Sequence, residues 1–151
     1  SSFPSNSNDN ILNKIAPWKG WAVTLSTSTN IGGTNLSSGG ITFYSNHISS
    51  GAGSHKGVVP SGGISLNTWH HVAVTINSSN SEFKIYFDGS NALTYTATLP
   101  QSTSAELWVG AGRTNAASNS GMYFHGQVDQ LFVTQDLLSA SEITNIYNAG
   151  R

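Results

Sequence analysis

Two stretches decide how this chain folds: Trp69-His70-His71-Val72-Ala73-Val74-Thr75-Ile76 and Phe83-Lys84-Ile85-Tyr86-Phe87-Asp88-Gly89. In the second, Phe83, Ile85 and Phe87 alternate with Lys84, Tyr86 and Asp88. Successive strand residues face opposite sides, so this alternation gives a strand with one buried face. The first stretch is the most apolar in the chain, which predicts a central strand. Asp88-Gly89 is a hairpin signal, because both residues tolerate the positive φ that a tight turn needs. Leu93, Tyr95, Ala97 and Leu99 then alternate with polar residues on the return, and Pro100 stops it.

The same grammar extends both ways. Residues 1–10 are polar apart from Phe3 and Pro4 and read as a tail or linker. Ile11 to Ile15 predicts a first strand, Trp21 to Leu25 a second, and Ile41 to Tyr44 a third after the turn Ser37-Ser38-Gly39-Gly40. A short strand is expected at Val58-Val59 within a glycine-rich stretch, and another at Leu107 to Gly110. The last strand is expected from Tyr123 to Val133. Phe124, Gly126 and Val128 share one parity while Leu131 and Val133 have the other, so a bulge near Asp129 is predicted. One helix is expected. Ser139-Ala140-Ser141-Glu142 is a capping box, Ile143, Ile146 and Tyr147 share a face, and Gly150 stands at the C-terminal cap. Short strands and turns at this spacing mean a sandwich or barrel. The expected domain is residues 11–151.

Composition agrees. Charged residues are only 9% of the 151, and Ser, Thr, Asn and Gly fill their place, which favours strands and turns over helices. The formal net charge is -1 and the six basic residues are scattered, which excludes a phosphate-tracking nucleic-acid surface. No apolar run approaches the ~20 residues that span a bilayer, so membrane insertion is not expected. Stability must come from packing, because the chain has no cysteine. The N-terminus lacks signal-peptide features, so an export signal, if used, is expected to have been removed.

Taken in order, Trp69 to Thr75, Phe83 to Gly89, Leu107 to Gly110, Phe124 to Val133 and Leu138 to Ile143 resemble the strands and closing helix of laminin-G-like, concanavalin A-like jelly-roll domains. The resemblance implies an all-β antiparallel jelly-roll sandwich with one short C-terminal helix, on the lectin/glucanase pattern, acting in recognition or adhesion. It covers roughly residues 11 to 150. Ile11-Leu12-Asn13-Lys14 resembles a strand that follows two or more others in the family, so opening strands are expected to be missing. That implies an open edge, a partner chain, or a piece of something longer.

Catalysis is not expected. The glucanases of this fold carry acids at Glu-x-Asp-x-x-Glu spacing on one strand, whereas no two of the seven acids here lie within five positions of each other. His70 and His71 are adjacent and face opposite ways, and no third ligand joins His47 and His55, so no zinc site is predicted. No cofactor is required. Calcium is the metal that the resemblance allows, with Asp129 or Asp88 as the available acids, although Asp129 suits a bulge and Asp88 a hairpin turn.

Sugar recognition combines aromatic faces with Asn, Asp, Gln, Arg or His hydrogen bonds. The candidates are Arg113, Asn115, Asn119, Tyr123, His47, His55 and Trp18, with Tyr44 and His125 beside them. The leading expectation is a non-enzymatic module that binds glycan or protein at a cell or particle surface, outside the cell. The alternative is a structural subunit of a viral or phage particle, fibre or extracellular filament. Its sandwich would be completed by a neighbouring chain, either another copy or a partner chain.

Overall fold

The protein is described as a computed structural model covering residues 8–16, 19–27, 36, 39–45, 54–60, 63–112 and 122–150. The strands are β1 (Asn8–Ala16), β2 (Lys19–Ser26), β3 (Gly40–Ser45), β4 (Ser54–Val58), β5 (Val72–Asn77), β6 (Glu82–Phe87), β7 (Ser90–Thr96) and β8 (Trp108–Val109), followed by helix α1 (Ala140–Ala149). They form a five-stranded sheet, β4-β3-β2-β1-β8, and a three-stranded sheet, β5-β6-β7, with every ladder antiparallel. The all-β sandwich with a terminal helix is therefore present.

The alternation seen in the sequence builds the core. Val23, Ile41 and Phe43 from the larger sheet meet Phe83, Ile85 and Phe87 from the smaller one. Phe83 and Ile85 have no exposed surface. The Phe83 ring lies 5.7 Å from Phe43 and 5.3 Å from Tyr95, stacked on the latter at 15°. Each buried side chain of this size contributes roughly 1.5–3 kcal/mol, so this cluster dominates the stabilisation. Burial also pushes the Tyr95 phenol pKa well above its ordinary value. Ser45 donates its hydroxyl to the Thr98 carbonyl, tying β3 to the chain beyond β7.

β1 is longer than the sequence suggested and starts at Asn8, inside the stretch read as a tail. Its register slips at Ile11, where pairing passes from Asn10–Thr24 to Leu12–Val23. The extra residue lets both Ile11 and Leu12 touch the core. Gly20 closes the β1–β2 hairpin at φ +104°. A Cβ there would stand 1.9 Å from the Lys14 carbonyl oxygen, so only glycine fits.

Two expectations are overturned. The strand after Trp69-His70-His71 is not central. Among the described residues β5 pairs only with β6, at the edge of its sheet, and all six of its residues are half-buried. Nor does a last strand form from Tyr123 to Val133. Asn10 N–H donates to the Met122 carbonyl at 3.2 Å and Phe124 N–H to the Gly110 carbonyl at 2.9 Å. Beyond that the run has no ladder, and residues 125–137 are exposed. Alternating apolar residues make a strand only where a neighbouring backbone accepts their hydrogen bonds. At the expected bulge the backbone turns instead: Gln130 has φ +51°, and its N–H donates to Asp129 Oδ1 at 2.8 Å.

α1 keeps its predicted signature. Ser139 Oγ accepts from Glu142 N–H at 3.3 Å, and Glu142 Oε2 accepts from Ser139 N–H at 2.8 Å. The Ser139 hydroxyl, donating to Glu142 Oε2 at 2.6 Å, and then the Ser139 N–H hold the Glu142 carboxyl pKa below its usual value. The Gly150 N–H closes the other end on the Ile146 and Tyr147 carbonyls. The helix packs over the β6–β7 turn. Ile143 is buried, and Thr144 Oγ1 donates to the Gly89 carbonyl at 2.8 Å.

Gly89 has φ +75°, and a Cβ there would come within 2.6 Å of the Tyr147 ring, whereas Gly63 has the same φ and open space around it. Gly63→Ala should therefore cost only backbone strain, about 1–2 kcal/mol. Gly89→Ala should cost measurably more, because it also lifts α1. Urea unfolding of both variants checks the difference, and equal losses would show that the helix is not seated on this turn.

Candidate functional site

The Trp-His-His and Phe-Asp-Gly segments meet at the start of β5. Asp88, in the left-handed region at φ +48°, turns its carboxylate back on the preceding strand. Its Oδ2 lies 2.9 Å from His70 Nδ1, and its Oδ1 accepts from His71 N–H at 2.9 Å. Asp88 N–H donates to the His71 carbonyl at 2.9 Å. His70 also packs its ring on Phe87, with centroids 4.7 Å apart. The adjacent His71 faces the helix and meets the Tyr147 ring at 5.9 Å. Its Nδ1 is buried without a hydrogen-bond partner, and burial lowers its pKa against the opposing pull of Asp88.

Two open grooves lie between the sheets. One, about 600 Å³, is lined by Val59, Ser65, His70, Phe87, Asp88 and Asn91, among others. Asp88, which supplies its charge, already uses both oxygens to hold the turn. The other, about 390 Å³, is bordered by Trp21, Lys14, Ile76, Ser78 and the turn Leu99 to Thr103. Trp21 stacks on Phe43 at 6.5 Å, which fixes the indole at the groove wall. The Lys14 ammonium is held by the Ala105 carbonyl at 2.5 Å, leaving the groove walled by an aromatic ring, an amide side chain and hydroxyls.

The predicted contact residues scatter around this frame. Trp18, His47, Arg113, Asn115 and Asn119 lie outside the described residues. His55 stands on β4 opposite Tyr44. Tyr123 is 58% exposed and bridges to Asn10, and His125 Nδ1 lies 3.3 Å from the buried Asp9 carboxylate. Neither residue borders the two grooves.

Register lines up a polar row on the outer face of the larger sheet: Thr42, Thr24 and Asn10, beside Tyr44, Ala22 and Asn13. Thr42, Thr24, Asn10, Ala22 and Asn13 are at most 3% exposed, so this face is not an open site. Burial also raises the Tyr44 phenol pKa.

Besides Asp88 and Asp9, four carboxylates are engaged within a few residues of themselves, whereas Glu106 has no partner among the described residues. Glu82 pairs with Lys84 at 3.0 Å, and this bond raises the lysine's pKa. Asp136 accepts from Thr134 Oγ1 at 3.2 Å, Asp129 from Gln130 N–H and Glu142 from Ser139. Among the described residues no group of three His, Asp or Glu side chains could hold a metal ion.

A family model of laminin-G type, described as the concanavalin A-like lectin/glucanases superfamily, matches residues 13–144. The chain belongs to this superfamily. No curated protein is similar enough to count as a match. The crystal structure of residues 221–444 of an S-layer domain-containing protein from Clostridium thermocellum superposes at a TM-score of 0.49 with 19% identity. The alignment covers 97% of this chain and 66% of that one, and a superposition of that quality carries no weight for function.

In this laminin-G-type domain the residues of the Trp21 groove escaped the sequence reading. Trp21 reads only as part of a strand, and Gln101-Ser102-Thr103 carry no motif that singles them out. The available signal was Pro100, which marks the end of the return after β7 and itself lines the groove with the three residues that follow.

His71 gives the domain a pH dependence. Its pKa is lowered in the fold, so the unfolded chain binds the proton more readily. Stability should be complete above the unfolded value of about 6.5, decline as pH falls below it, and level off beneath the folded value. Thermal unfolding between pH 7.5 and 5 checks this. His71→Gln should flatten the slope, and an unchanged slope would remove His71 as its cause.

Proposed function

We propose that the domain is a non-enzymatic recognition module for neutral glycan or protein surfaces, acting at a cell or particle surface. The observation that carries this reading is the groove walled by Trp21 with Ser78, Gln101, Ser102 and Thr103. An indole face accepts sugar C–H surface, while an amide and hydroxyls bond sugar hydroxyls without the cost of stripping water from a charge. Membership of a lectin-containing superfamily supports it. So does the engagement of the acids as turn, cap and ion-pair groups, because glycoside hydrolysis needs two carboxyls facing one substrate.

A second reading has its own support. The sandwich would be completed by a neighbouring chain in a larger assembly. Among the described residues no strand pairs with the outer edge of β5, and the run beyond Phe124 is exposed although rich in apolar residues.

A glycan array tests the first reading. Binding to at least one neutral glycan is expected. Ser102→Ala should weaken it by roughly 2- to 12-fold, the worth of one neutral hydrogen bond, without lowering the melting temperature. Silence across the array, together with no binding to surface protein, would refute the module reading.

A further inference from the structure

We propose that two copies of this chain exchange strands, the run Phe124–Val133 of each adding to the free edge of β5 in the other. The inference rests on the second reading above, completion by a neighbouring chain, and names the neighbour.

The acceptor follows from the ladder. Asp88 N–H bonds the His71 carbonyl, so these two form a hydrogen-bonded pair. Such pairs alternate along an antiparallel ladder. Ala73, Thr75 and Asn77 therefore direct their backbone groups to β6, while Val72, Val74 and Ile76 direct theirs to the open side. The side chains of these same three residues pack against the core cluster. An added strand would satisfy their amides and carbonyls and extend the cover over one margin of the core.

The donor lies in the same chain. Val128 is 39% exposed, Leu131 44%, Phe132 65%, Val133 58% and Leu137 53%. Together they present roughly 500 Å² of apolar surface, the size of patch that marks an interaction site. Two copies bring about 1,000 Å² before either β5 edge is counted, approaching the ~1,200–2,000 Å² of a stable interface. Charge matches as well: β5 carries none, and within Phe124–Val133 the one carboxylate, Asp129, is bonded to its own backbone neighbour. Each copy offers one acceptor and one donor, so a two-fold dimer satisfies both at once.

Sedimentation velocity of the chain from low to high micromolar concentration tests this, alongside Phe132→Asp. That side chain is solvent-facing, so its loss leaves the core intact. A dimer is expected, with hydrogen-exchange protection at the Val72, Val74 and Ile76 amides. The substitution should weaken association at least about tenfold. A dimer indifferent to Phe132→Asp, or one without protection on β5, would overturn the exchange. So would a monomer throughout. In that case a labelled peptide of residues 124–133 separates the two ideas. If the monomer binds it on β5, completion by some other neighbour stands and self-exchange falls; if it does not, both fall.

Discussion

The Asp88 carboxylate is the constraint from which the rest of the architecture follows. It bonds His70 and the His71 amide at once, and so fixes where β5 begins relative to the end of β6. That register sets Val74 opposite Ile85 and Ile76 opposite Phe83. A slip of one residue would turn all of these side chains to the other face. The next residue, Gly89, has no side chain, and the terminal helix is seated in the space this leaves. One turn thus organises a ladder, a core face and a helix contact.

The geometry has consequences for function. Asp88 is committed to a turn by both of its carboxylate oxygens. The other acids with partners serve caps, local turns and ion pairs. Open to solvent are a groove with an indole wall, bordered by the carbonyl-bound Lys14, and the outer edge of β5. Both suit association rather than chemistry. They meet at one residue, since Ile76 borders the groove and also lies on the open edge of β5.

Much of the sandwich was legible because strand alternation and helix capping are local. The core positions Phe83, Ile85 and Phe87 followed from parity alone. The capping box at Ser139 and Glu142 followed from four residues. The misreadings share one cause. Val72 to Ile76 is apolar enough for a central strand, and Phe124 to Val133 alternates enough for a last one. Yet strand position depends on which backbone lies alongside, and an amino-acid sequence does not state its neighbours. The groove was missed for the same reason, as it joins β1, β2, the end of β5 and the turn after β7, elements up to ninety residues apart.

The sequence by itself therefore determined the all-β class, the core-facing residues, the hairpin at Asp88-Gly89 and the capped helix. Each rests on a period or spacing within a few residues. Only the tertiary structure decided that β5 is an edge and that the run after Phe124 is left without a ladder. It alone showed that Asp88 binds both histidines' segment and that Trp21 faces a groove. These depend on long-range pairing, in which each backbone group must find a partner that the local sequence cannot supply.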